Sequence, residues 1–184
     1  MVGIDIGGTT IDAVVVTGPD GPVLARRSRP TPADGGPALL AALIETVDDL
    51  RDTVADGPLR AVGIAVPGLV DREEGTVAHA VNLGIGTAPL ALVQRLTTAI
   101  GVPVVLDNDA RAAAMAALAL LRRSHPAIDD VALLNLGTGL SLGLVLAGRP
   151  HRGPLGHAGE IGHVPLPGSD AACACGLRGC LEAR

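Results

Sequence analysis

The chain has 184 residues, nearly half of them apolar, with no Phe, Tyr or Trp and a formal net charge of −5. That length allows one ordinary domain or two small lobes, and the core must be built from Ala, Val, Leu and Ile, which interdigitate densely without aromatics. A modest negative charge with scattered Arg and no Lys leaves no electrostatic footprint for nucleic acid, and no segment approaches the ~18 uninterrupted apolar residues of a membrane helix.

The opening "MVGIDIGG" lacks the charged and apolar regions of a signal peptide. "VGIDI" reads as a strand running into "GGTT". "IDAVVVTG" is a second strand, "PDGP" a turn, and "VLARRSR" a third strand with one wet face. Helical spacing follows over residues 35–56, where Leu39, Leu40, Leu43, Val47, Leu50 and Val54 share a face. "LRAVGIAVPG" is a buried strand reaching a Pro-Gly turn, and "TVAHAV" another short strand. Residues 88–101 form a helix closed by Gly101. "VPVVLDND" is a strand ending in polar residues, and "ARAAAMAALALLRR" a helix of strong helix formers. "DDVALLNLGTG" and "SLGLVLAGRP" are strands around a glycine turn; beyond them the chain is rich in Gly, Pro and His with little periodicity. Three strands, a helix, then alternating strands and helices predict an α/β fold with a mixed sheet.

Four motifs carry chemistry. "DIGGTT" places Asp5 at a strand end, with Gly7, Gly8, Thr9 and Thr10 in a turn. Backbone N–H groups and hydroxyls there suit a phosphate, and the carboxylate suits hydrated Mg²⁺; a plain hairpin turn fits equally. "NLGTGLS" repeats the device with Gly137, Thr138 and Gly139. "LDNDA" sets Asp107, Asn108 and Asp109 at a strand–helix junction, where a carboxylate can accept a hydroxyl proton or a residue can cap the helix. Finally, His163, Cys173, Cys175 and Cys180 have the spacing H-x9-C-x-C-x4-C. With no export signal read at the N-terminus the thiols are expected to stay reduced, so a metal role outranks a disulfide, and a Cys₃His set suits a closed structural Zn²⁺ site in a loop with little apolar content of its own. Isolated buried thiols are the bland alternative.

The order "DIGGTT", "GIAVPGLVD", "DNDA", "LGTG", "GEIGH", "CACGLRGCLE" resembles the ROK family of repressors, open reading frames and sugar kinases, across essentially the whole chain. The resemblance implies an actin-like ATPase fold of RNase H-like lobes: a first lobe over 1–108, and an incomplete second lobe over 109–184 with a zinc loop at 156–182. It implies transfer of the γ-phosphoryl group of ATP to a hexose or amino sugar, as in a glucokinase. Asp109 then matches the catalytic base; Asn82, Asn108, Asp109, Glu160, His163 and Glu182 match sugar contacts; and the two Gly-Thr turns match phosphate loops. His163 would use one ring nitrogen on zinc and offer the other to a sugar hydroxyl. The sequence departs from the family pattern at Thr10, where Lys is frequent, at Arg111, where Asn is frequent, and at Ser141 and Leu142, where glycines are frequent. Family members run to roughly 300 residues, so the resemblance implies that the adenosine segment and a further helix are missing, that the chain alone has little kinase activity, and that no helix-turn-helix precedes Met1. A sugar-sensing module of a ROK regulator and a non-catalytic zinc-stabilised sugar-binding module remain alternatives. Expected partners are the sugar and ATP, with no membrane and no nucleic acid through this chain; a homo-oligomer and a cytoplasmic location complete the expectations.

Overall fold

The computed structural model describes every residue except 19–20, 52, 54–56, 138 and 184. It divides into two compact units, Met1–Asn108 and Asp109–Arg184. Among the described residues no helix is long and apolar enough to cross a membrane.

In the first unit, period-two alternation makes strands. Val2, Ile4 and Ile6 of β1 (Val2–Ile6) are buried, as are Ile11, Ala13 and Val15 of β2 (Thr10–Val16). These strands and β3 (Val23–Pro30) form an antiparallel meander. Then come α1 (Gly36–Arg51), β4 (Val62–Val66), a hairpin of β5 (Leu69–Asp71) and β6 (Thr76–Ala78), α2 (Leu92–Ile100) and β7 (Val104–Asn108). The main sheet has the order β3-β2-β1-β4-β7, with β4 and β7 joining in parallel. Leu39, Leu43, Val47 and Leu50 of α1 and Leu92, Leu96 and Ile100 of α2 are buried in its core. Each such leucine contributes roughly 1.5–3 kcal/mol by leaving water. Thr46, wholly buried in α1, is satisfied by donating to the Ala42 carbonyl at 2.6 Å.

The local details depart from the sequence expectations at several points, and helix α2 begins at Leu92, not at 88. Helix α1 ends at Arg51, whose guanidinium donates to the Ile100 carbonyl at 2.6 Å; the continuation to 56, including Val54, lies outside the described residues. Strand β3 is an edge strand exposed on both faces, not one, except at Ala25 and Arg29. Arg29 lies against α1, donating to Glu45 at 2.7 Å and Asp49 at 2.9 Å. The strand expected over 76–81 stops at Ala78, and residues 81–83 form one 3₁₀ turn between His79 (φ 52°) and Gly84 (φ 66°). Strand β5 has no counterpart among the sequence expectations; the Asp71 carboxylate sets the turn after it, accepting from the Glu73 and Glu74 N–H groups at 2.9 and 3.1 Å.

The second unit opens with α3 (Asp109–Arg122), followed by β8 (Val131–Leu136), β9 (Leu140–Leu146) and β10 (Arg149–Pro150), a three-stranded antiparallel sheet of order β10-β9-β8. Ala114, Leu118 and Val145 form its small buried core. Leu120, Leu121, Leu134 and Leu136 stay exposed. After β10 the described chain holds only two single helical turns, Ile161–His163 and Leu181–Ala183, and isolated bridges such as Pro165 with Cys180.

Gly143 of β9 is what lets α3 lie close. A Cβ there would overlap the Ala110 carbonyl and come within 2.6 Å of the Ala114 Cβ. Backbone cannot yield as a flexible side chain can, so Gly143→Ala is expected to cost about 1–3 kcal/mol. Urea denaturation of parent and variant measures it; an unchanged midpoint would show that the helix shifts freely.

Candidate active site and metal centre

The four expected metal ligands converge. One donor atom from each of His163, Cys173, Cys175 and Cys180 lies within 4.8 Å of the others. His163 Nδ1 is 3.9 Å from Cys173 Sγ, and Cys175 Sγ is 3.8 Å from Cys180 Sγ. Gly176 and Gly179, both with positive φ, make the turns that bring the thiols round. Three thiolates and an imidazole at this spacing fit tetrahedral Zn²⁺.

The electrostatics of the thiols differ from one another. The Cys175 N–H pulls the Cys173 thiol down, but burial and hydrogen bonds to Cys175, Glu182 and Cys180 outweigh it, and the thiol is pushed up to about 12. Cys175 is lowered, first by the Leu177 N–H and then by the neighbouring thiols, against the cost of burial. Burial raises Cys180. Of the three thiols, Cys175 therefore gives up its proton most readily.

His163 also joins the metal cluster to carboxylates. Its Nδ1 is 3.5 Å from Glu182 Oε1, and its Nε2, on the other side of the ring, is 3.9 Å from Glu160 Oε2. Burial pushes the Glu160 carboxyl above its ordinary value; His163 and Arg111 oppose that shift and Asp109 adds to it. So Glu160, His163 and Glu182 lie side by side within the second unit, with Asp109 near enough for its charge to act on Glu160. Asp109 is the first residue of α3, where its carboxylate accepts from the Ala110 N–H at 2.8 Å.

Glu182 does something the sequence did not disclose. Its Oε2 accepts from the Leu140 N–H at 3.2 Å, and a Cβ on Gly139 would lie 2.9 Å from it. The carboxylate thus holds the end of the second Gly-Thr turn while its Oε1 faces His163 and Cys173 of the candidate metal set. Gly137 and Gly139 are exposed in that turn, and Thr138 lies outside the described residues.

The first unit carries the other candidates. In the "GGTT" turn the Gly7 N–H donates to the Thr10 carbonyl at 2.8 Å, while Thr31 donates through its hydroxyl to Gly7 at 2.7 Å and through its N–H to Thr9 at 2.9 Å. Gly8 and Thr9 are exposed. Asn82, also exposed, lies against this turn: a Cβ on Gly8 would be 3.2 Å from the Asn82 Cβ. Asp5 pairs across the sheet with Asp12, and through Ala65 with Asp107, in one row on one sheet face. Asp107 has Arg72 Nη1 3.8 Å away. Asn108 is buried at the end of β7, its amide donating to the Gly68 carbonyl at 3.2 Å. Gly68 (φ 95°) is tightly held, since a Cβ there would come within 2.7 Å of the Ala78 carbonyl.

An antiparallel meander extended by parallel strands, exposed glycine turns borne on strands, and a carboxylate opening the helix after β7 define a protein of the actin-like ATPase fold. More narrowly, the chain belongs to the ROK family, whose profile matches residues 1–184. It is 36% identical to an N-acetylmannosamine kinase of Escherichia coli O1:K1, over 98% of this chain and 59% of that protein. Among solved structures it resembles a ROK family glucokinase from Streptomyces griseus in complex with glucose and AMPPNP, at 33% identity and a TM-score of 0.82, covering 99% of this chain and 55% of the other. It also resembles a ROK family transcriptional regulator, a homolog of the E. coli MLC protein, at 29% identity and a TM-score of 0.80, over 99% of this chain and 45% of that one. The chain spans little more than half the length of the kinases it matches.

Proposed function

We propose that this chain supplies the sugar-binding and base-carrying part of an ATP-dependent sugar kinase acting on a hexose or an amino sugar. The observation that carries the reading is the cluster of Asp109, Glu160, His163 and Glu182 on a Cys₃His loop. Glu160 and Glu182 accept hydrogen bonds from sugar hydroxyls, and His163 donates from Nε2 while Nδ1 faces the metal. Asn82 and Asn108 of the first unit supply amide contacts. Asp109 takes the proton of the attacking hydroxyl. The turns at 7–10 and 137–139 offer backbone N–H groups to the ATP phosphates, and Asp5 orients hydrated Mg²⁺. Zn²⁺ at His163, Cys173, Cys175 and Cys180 fixes the imidazole and closes the loop.

The kinase relatives support this reading; the likeness to a regulator supports a second, in which the same cluster senses a sugar without turnover. Calorimetric titration with glucose and N-acetylmannosamine tests the part common to both. Saturable binding is expected, weakened about tenfold in Glu160→Gln, which loses a charged acceptor. Sugar-dependent ADP release from Mg·ATP separates kinase from sensor. Absence of binding to any hexose or amino sugar would overturn both.

A further inference from the structure

Arg111 follows Asp109 by two residues in the first turn of α3. On a helix surface an arginine ordinarily lies in water, but this one is 2% exposed and among the largest fully buried side chains of the chain. A guanidinium does not shed its charge to escape burial, so it needs fixed acceptors. One is identified: Nη1 donates to the Gly156 carbonyl at 2.9 Å.

That carbonyl belongs to a loop that is also tied to β9 by the Leu142 N–H, which donates to Gly159 at 2.9 Å; its bonds nearer Gly156 are internal, from the Gly156 N–H to Gly153 at 3.4 Å, Ala158 to Arg152 at 3.0 Å, and Glu160 to His157 at 3.2 Å. The loop leads directly into Glu160, which feels the Arg111 charge. An apolar side chain of similar volume would fill the same space at a lower desolvation cost, but it would leave the Gly156 carbonyl without this donor.

We propose that Arg111 is a positioning residue: its buried guanidinium fastens the 153–160 loop to the first turn of α3 and so sets Glu160 relative to Asp109. The inference rests on the sugar-binding reading of that cluster, and it makes Arg111 a determinant of sugar affinity although its side chain bonds the loop and not the sugar.

Two variants test it. Arg111→Met keeps bulk and removes the donors; Arg111→Lys keeps the charge and one flexible donor. Amide hydrogen exchange is expected to show faster exchange at Gly156, Ala158 and Glu160 in Arg111→Met, by about tenfold, while α3, β9 and the first unit keep their protection. Affinity for glucose or N-acetylmannosamine should fall about tenfold in parallel, with Arg111→Lys recovering part of both losses. Unchanged exchange in the loop would overturn the fastening, and so would a loss spread over the whole second unit. A loosened loop with unchanged sugar affinity would overturn the positioning role. If the parent chain binds neither sugar, the sugar-binding reading itself fails, while the exchange result still decides whether Arg111 holds the loop.

Discussion

Stripping the metal is expected to open residues 156–182 while the first unit stays folded. The two halves differ in what holds them. The first unit has a sheet and two helices around a continuous aliphatic core. The loop has one buried apolar-type side chain, Cys180, and sparse backbone bonds such as Leu166 N–H to Gly179 at 2.7 Å and Cys173 N–H to Leu177 at 2.9 Å. Structural zinc sites contribute roughly 10–16 kcal/mol of binding free energy at neutral pH in small peptides, far more than those bonds supply. We expect one zinc per chain by elemental analysis, lost in Cys175→Ser, with amide protection over 156–182 lost on chelation. Metal binding must displace protons from Cys173 and Cys180, both held above the ordinary thiol value, so affinity should fall as pH is lowered. A chain that is zinc-free as purified, or whose loop keeps its protection under chelator, would sink the metal assignment.

Asp109→Asn should lower sugar-dependent ADP release by about two to four orders of magnitude, measured in the protein that carries this chain, and change sugar affinity much less. Asparagine keeps the size and hydrogen-bonding capacity of the side chain but cannot take a proton. It also keeps an oxygen to accept from the Ala110 N–H, as the carboxylate does at 2.8 Å, so α3 should remain in place. Turnover within about tenfold of the parent would remove Asp109 from the role of base. Loss of binding equal to the loss of rate would make it a sugar ligand only.

The parts of this protein that were legible in its sequence are those in which a residue's surroundings are set by its near neighbours. Alternation over Val2–Ile6 and Thr10–Val16 determined which side chains enter the core, and the spacing of leucines in 36–51 determined the face of α1. The convergence of the candidate metal ligands was legible because the cysteines lie within eight residues and glycines supply the turns between them. Tertiary structure decided what depends on distant partners. Strand β3 looked half-buried, but at the sheet edge only Ala25 and Arg29 are sheltered and its other residues are exposed. Asn82 sits on a 3₁₀ turn because His79 and Gly84 redirect the chain at either side of it. Glu182 reaches the Leu140 N–H across 42 positions, so no local pattern announces it. Arg111 carries the same lesson: nothing in an alanine-rich helix marks it as buried, yet in the structure it is, with its guanidinium donating to the Gly156 carbonyl 45 positions away.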